Sequence, residues 1–414
     1  MPGPRPLTLI ALAMGVIFGV VAVAQDVPAP TAPSGFADQP PPPPPPVAPT
    51  PPPPRTLSPV IWSEDPDIVQ RFAVNNAVAR QMVNRCLLRL TSATDIGTAW
   101  QRLGITSRDV VGVKITTIGG PLMSSHRAVV QAVCDGLIAA GVPTTRIIVW
   151  DKNASDMRAA GYDPQPPSES HVGISAIFPG TGYDPDAIYK NGLLGTLIWG
   201  DSEFRNGNND DLTQAASDVV TGHSAYGSDS VGDNFGDTDN LLNSSAPLTS
   251  NKSHFARLVT TICTKIVNVP VLTDNPYVGI DGCMSSLALG SVDNNRRFQG
   301  DPTFGDPAIG EILNDPILRR KVVVNILDAM IAQYAGGPRF NPVFTRQLGG
   351  IYVSRDPVAI DAIALQRLER FRANDTRSGR LDPIGRTAVH VHGAADLNLG
   401  TDDASRIQLV RVEP

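Results

Sequence analysis

Three features of the sequence predict an α/β fold with a mainly parallel, twisted sheet and helices on both faces. The first is a strand–helix–strand run from Val110 to Trp150. The second is a series of short β-rich runs at Lys265–Val269, Lys321–Ile326 and Gly350–Ser354. The third is the helix start Asp356-Pro357 directly after the last run. Parallel neighbours need a crossover between them, and the alternation of strand and helix provides it.

Composition fits such a domain. Of 414 residues, 42% are hydrophobic and 18% charged, so a real core is available and wholesale disorder is excluded. Lysine and arginine number 34 against 40 acidic residues, a net charge of -6. No segment has the dense basic run of a nucleic-acid surface, so no nucleic-acid partner is expected.

The chain opens with a different kind of sequence. Arg5 precedes an apolar run over residues 7–23, and Ala22-Val23-Ala24 offers small residues before Gln25. This pattern reads as a signal peptide over 1–24 and predicts an exported protein, periplasmic or secreted. The alternative is an uncleaved inner-membrane anchor formed by residues 7–23, which are short for a span. Either way, any membrane contact is expected through this segment alone. Residues 25–59 are proline-rich, with seven consecutive prolines at Pro40–Pro46. Such a chain makes an extended polyproline spacer without a core. Residues 60–414 are then expected to form one α/β domain.

Within that domain, apolar residues recur at helical spacing from Asp67 to Leu90. A second helix spans Asp95–Leu103 and is closed by Gly104. Val110–Ile115 is a strand, Arg127–Ala140 a helix opened near Ser124 and stopped by Gly141, and Arg146–Trp150 a strand ending at Asp151. Pro357 at the first helical position, with Asp356 before it, starts a helix running to about Phe371. Ala388–Val391 and Ile407–Val412 read as terminal strands. A stretch of about 200–253, rich in Gly, Asn, Asp and Ser, reads as a long surface insertion. The four cysteines, Cys86, Cys134, Cys263 and Cys283, form no C-x-x-C pair, so no iron–sulfur cluster is expected. In an oxidising compartment Cys263 with Cys283 is the candidate disulfide, and buried free thiols are the alternative.

Several segments, taken in order, resemble the family called domain of unknown function 362. They are Val113-Lys114-Ile115 followed by Ser124-Ser125-His126; Ile147 to Asp151; Lys265 to Leu272 running on to Gly290 to Asn295; Asp328-Ala329 with Gly336-Gly337-Pro338; and Tyr352 to Asp361. The resemblance spans about Val110 to Glu369. It implies a fold and a site region, not a substrate. Many members carry Lys, then Asp or Thr, then His after the segment matching Asn268–Leu272. Here those places hold Thr273, Asp274 and Asn275, so a cation and an imidazole are missing.

Ligands in open α/β sheets bind beyond the carboxyl ends of the strands. That rule selects His126 and Asp151 as candidate catalytic residues. It selects Lys114, Ser125, Asn268 and Asp274 as candidate substrate-binding residues, with Gly336 and Gly337 as a loop that a ligand could approach closely. His126, Asp151 and Asp328 are a candidate ligand set for a divalent metal. Asp361 is a carboxylate on an otherwise apolar helix and needs either a buried partner or a place in the site. Two decoys are set aside. The nucleophile-elbow-like Thr221–Tyr226 lacks the second glycine, and the carboxylates at Asp229, Asp233, Asp237 and Asp239 lack EF-hand spacing. His390-Val391-His392 would place two imidazoles on one face of a strand. Two functions fit these residues: a metal-assisted enzyme acting on a small polar or anionic molecule, or a non-catalytic module binding a small ligand or a cell-envelope component.

Overall fold

The structure, a computed structural model, describes residues 57–196, 249–376 and 381–414. The leader, most of the proline-rich segment, the bulk of the 200–253 insertion and both decoys lie outside the described residues. Ser58 and Pro59, expected in the spacer, begin the first strand, β1 (Ser58–Glu64).

The helix expected from Asp67 begins later. Asp65 and Pro66 open a short 3-10 turn, and β2 (Val69–Gln70) and β3 (Ala73–Val74) form a small hairpin. Its two turn residues, Arg71 and Phe72, have φ of 50° and 66°. Two consecutive positive φ values make a hairpin turn that no helix can pass through. Helix α1 (Asn76–Thr91) starts where Asn75 Oδ1 accepts the N–H groups of Ala77 and Val78. Asp95 caps α2 (Ile96–Arg102) in the same way. β4 (Val111–Ile115), α3 (Arg127–Ala139) and β5 (Ile147–Asn153) are the predicted crossover unit, with β4 and β5 paired in parallel. The Trp100 ring packs where a Cβ on Gly136 of α3 would fall 2.2 Å from its Nε1, so this close approach requires glycine.

α4 (Ala154–Ala159) and β6 (Gly173–Phe178) extend the unit. β7 (Tyr183–Thr196) and β8 (Thr249–Ala256) pair with each other in a separate antiparallel ribbon. The chain then enters the middle of the sheet with β9 (Lys265–Val269), turns at Pro270 and continues as β10 (Val271–Asn275) and β11 (Gly279–Asp281). Helices α5 (Cys283–Gly290), α6 (Ala308–Asn314) and α7 (Pro316–Arg319) follow. β12 (Val322–Gln333) and β13 (Thr345–Ser354) are longer than the apolar runs that predicted them. Asp328, expected after its strand, therefore lies inside β12. There β10 replaces β9 as the parallel neighbour, and the Asp328 N–H donates to Pro270 O. Asp356 caps α8 (Pro357–Ala373) by accepting the Ala359 N–H, the simple role its position suggested.

The expected strand at Ala388–Val391 is corrected. His390–Asp396 form helix α9, whose Val391 and Ala394 are buried in the core. Packing outweighs the local β propensity. His390 is buried while His392 is exposed, so the two imidazoles do not share a face. β14 (Ile407–Arg411) is the last strand.

The resulting ten-stranded sheet has the order β14-β1-β13-β12-β9-β4-β5-β6, with β10 and β11 branching from β12. β12, β9, β4, β5 and β6 run parallel, while β13 is antiparallel to both β12 and β1. One apolar cluster under α1, α2 and α3 and another under α5, α6, α8 and α9 cover the two faces. The predicted α/β class, mainly parallel with helices on both faces, is the observed one. All four cysteines are buried and free, so Cys263 and Cys283 are not a disulfide. No helix among the described residues is long and apolar enough to cross a membrane.

Candidate functional site

The carboxyl ends of β4 and β5 open into a small cleft. Its volume of about 60 Å³ leaves room for about four to six water-sized groups. Lys114 and Asp151 lie at its base, and Lys152, Asn275, Asp281, Ser285 and Gly290 are among the residues around it. Two larger hollows, of about 500 and 640 Å³, lie beside α9, but no buried charged side chain lines either.

Lys114 is 2% exposed, on the last turn of the pleat in β4. Its Nζ meets Asp151 Oδ1 at 2.9 Å and sits 5.7 Å above the Trp150 ring. A buried ammonium survives only with such partners. α5 comes close enough that a Cβ on Gly290 would lie 2.7 Å from Lys114 Cε. Asp151 is held as tightly. Thr117 donates both its N–H and its hydroxyl to Oδ2, at 2.8 and 2.6 Å, and the Lys152 N–H donates to Oδ1 at 2.8 Å. Asp281 stands at the end of β11. Burial pushes its carboxyl up to about 6, against the Ser285 hydroxyl and the Lys114 charge, which favour the ionised form. It is thus a carboxyl that exchanges a proton near neutral pH.

α5 carries Ser285, Ser286, Leu289 and Gly290 into the cleft, and its N-terminus is fixed from another helix. No side chain of its own caps it. Instead the buried Asp361 carboxylate of α8 accepts the N–H groups of Cys283 and Met284 at 2.7 and 2.9 Å. Burial pushes Asp361 up to about 7 despite these bonds. Asp361 is therefore a buried partner and does not line the cleft.

His126 and Asp328 form a separate pair. His126 Nδ1 lies 3.1 and 3.0 Å from the two Asp328 oxygens, and the His126 N–H donates to Oδ2 at 2.7 Å. Burial acts to lower the His126 pKa, but the charge and hydrogen bond of Asp328 outweigh it and hold the imidazole above its ordinary value. Neither residue lines the cleft. The Thr116-Thr117 segment links the two places. The Thr116 N–H donates to Ser125 Oγ, and Ser125 Oγ donates to Val269 O, while Thr117 holds Asp151. The expected catalytic pair His126 and Asp151 is thus split between two clusters.

The proposed metal set fails for the same reason. Asp328 accepts from His126 and from the Met330 N–H, Asp151 accepts from Thr117, Lys152 and Lys114, and the Lys114 ammonium would repel a second cation. Among the described residues no three His, Cys, Asp or Glu side chains are grouped to hold a metal ion. His126, Asp151 and Asp328 do not fit a divalent ion.

Two other expected binding residues, Asp274 and Gly337, satisfy each other. The Gly337 N–H donates to Asp274 Oδ1 at 2.9 Å, and Arg372 lies 3.3 Å from Oδ2. Burial raises Asp274 to about 6, against the nearby Arg372 charge. A Cβ on Gly337 would fall 2.0 Å from Asp274 O, so the loop with Gly336 (φ 75°) is pressed against β10. Asn268 is fully buried beneath α5, donating to Cys283 O and to Asn325 Oδ1. Asp281, Lys152, Ser285 and Asn295 were missed as site residues. The one local signal for Asp281 was its place directly before Gly282, after a short apolar run.

The model of the family described as domain of unknown function (DUF362) matches residues 190–366. The match takes in Asn275, Asp281 and α5, and leaves Lys114, His126 and Asp151 outside. No curated protein matches the chain. Among solved structures, the chain is similar to a crystal structure of a protein from Thermotoga maritima. The identity is 9% and the TM-score 0.31, over 66% of this chain and 53% of that one, so the chain spans about half that protein's length. Over residues 190–366, the chain is thus similar to the domain of unknown function (DUF362) family, the one its motifs resemble.

Proposed function

We propose that the cleft at the ends of β4 and β5 is the working site, and that Asp281 moves a proton there on a small polar molecule. The observation that carries this reading is one exchangeable carboxyl in a cleft whose other ionic pair is locked. Lys114 and Asp151 hold each other and give the cleft a fixed field, whereas Asp281 is poised near neutrality. In this reading Asp151 is a positioning residue, and His126 with Asp328 braces the strand ends. The protein works outside the cytoplasm, carried there by residues 1–24 and held off by the proline-rich residues 25–59.

A second reading, a non-catalytic binding module, is favoured by Asn275. It lines the cleft where the family resemblance leads one to expect histidine, and a carboxamide carries no exchangeable proton.

Native mass spectrometry and elemental analysis of the purified full chain come first, to find a co-purified ligand or ion. Asp281→Asn is then compared with the wild type on whatever is found. Loss of turnover with the ligand still bound, and loss of a pH limb near 6, supports the enzyme. Binding without turnover in the wild type supports the module. A ligand whose retention ignores Asp281→Asn and Lys152→Met overturns the cleft as the site.

A further inference from the structure

Hydrogen-bonding capacity in the cleft is unevenly taken up. Lys114 Nζ has three protons, and Asp151 Oδ1, Ile115 O and Ser286 Oγ take them at 2.9, 2.5 and 3.4 Å. Asp151 has about four acceptor positions, and the Thr117 N–H, the Thr117 hydroxyl, the Lys152 N–H and Lys114 fill them. Neither side chain can take a ligand without giving up a partner.

Two groups that a ligand could reach are left over; a third, Asn153 Oδ1, also lacks a partner among the described residues but is itself shut off from solvent. Asn275 is 4% exposed; its Oδ1 accepts the Tyr277 N–H at 2.9 Å, and its Nδ2 has no partner among the described residues. Asp281 accepts Ser285 Oγ on Oδ1 at 3.1 Å, and its Oδ2 has no partner among the described residues. They come from β10 and β11, antiparallel neighbours joined by a short turn. The cleft therefore presents one reachable donor and one reachable acceptor, a diagonal pair on the β10–β11 hairpin, where Asp281 stands opposite Thr273 and Asn275 opposite Gly279.

Charge narrows the ligand further. Lys114 and Lys152 against Asp151, Asp156 and Asp281 leave one negative charge in excess when all are ionised, which opposes an anion. A hydroxyl both donates and accepts, so adjacent hydroxyls complement an amide N–H and a carboxylate oxygen together. Ile118 and Leu289 offer apolar wall for a carbon skeleton.

We propose that the cleft binds a small polyol through neighbouring hydroxyls, one donating to Asp281 Oδ2 and one accepting from Asn275 Nδ2. The volume suits a head the size of glycerol. This deepens the reading of the cleft as the working site and rests on it.

Saturation-transfer NMR on the full chain tests it with three separate probes: glycerol, inorganic phosphate and ethylammonium. Glycerol is expected to bind, phosphate not. Asp281→Asn and Asn275→Leu are each expected to weaken glycerol at least tenfold, and His392→Ala, on the exposed face of α9, to leave it unchanged. The comparison of probes on the wild type stands even if a variant fails to fold. Phosphate or ethylammonium binding in an Asp281-dependent way, without glycerol, overturns the polyol class and leaves the cleft standing. Glycerol binding that ignores both variants overturns the proposal, as does binding by none of the three. In that last case the co-purified ligand decides on the cleft itself.

Discussion

The Asp361 carboxylate accepts the backbone N–H of Cys283 at 2.7 Å, although the two residues are separated by 78 positions in the chain. It does for α5 what a local cap residue does for most helices. Gly282 makes this possible, since a Cβ there would lie 2.3 Å from Asp361 Oδ1. Asp361→Asn keeps the shape but turns an amide N–H₂ towards backbone donors. It is expected to cost about 2–4 kcal/mol in urea unfolding. A loss below about 0.5 kcal/mol would mean that α5 is held by packing alone.

Breaking the His126–Asp328 pair leaves a fully buried carboxylate without its cation. His126→Gln is expected to lose about 3–5 kcal/mol, the cost of an orphaned buried charge. The loss depends on pH. The His126 pKa is raised in the folded state, so the pair's stabilisation is complete below the unfolded value of 6.5 and fades as pH climbs through the folded value. Urea unfolding of both proteins across that range should show the gap narrowing towards alkaline pH.

His390 gives the opposite slope. It is fully buried, and among the described residues neither ring nitrogen makes a hydrogen bond of good geometry; burial pushes its pKa down from 6.5 to about 4, with a weaker contact to the Val278 backbone pulling the other way. The unfolded chain takes up this proton first. Stability is therefore lost as pH falls from 6.5 to about 4, by up to about 3 kcal/mol from this residue. His390→Leu should flatten that part of the wild-type curve, and an unchanged curve would contradict the assignment.

The thiols should be silent in the folded protein. Burial pushes Cys86, Cys134 and Cys263 up to about 12, and Cys283 well above the ordinary thiol value. Since the thiolate is the reactive form, a thiol reagent should label none of them natively and all four after unfolding. A lower count after unfolding without reductant would reveal a disulfide.

What the sequence disclosed depended on how local the cause was. Val111–Ile115, Arg127–Ala139 and the Asp356 cap were legible because periodicity and capping act over a few residues. Ala388–Val391 misled because its branched side chain answers to α6 and α8, far away in the chain. The site was half legible for the same reason. Strand-end logic found Lys114 and Asp151, which meet across adjacent parallel strands. It also grouped His126 with Asp151, because a strand end does not reveal which neighbour a side chain bonds. Asp281 was illegible because it reaches the cleft only through the branch that β10 and β11 make from β12.

β1 is not an edge strand. It is hydrogen-bonded to β13 along one side and to β14 along the other. A pull on the chain ahead of Leu57 would run along β1, nearly at right angles to both ladders. The load would fall on many hydrogen bonds at once, in shear, instead of peeling them away singly. The ladders on both sides of β1 thus resist tension applied from the N-terminal side of the domain.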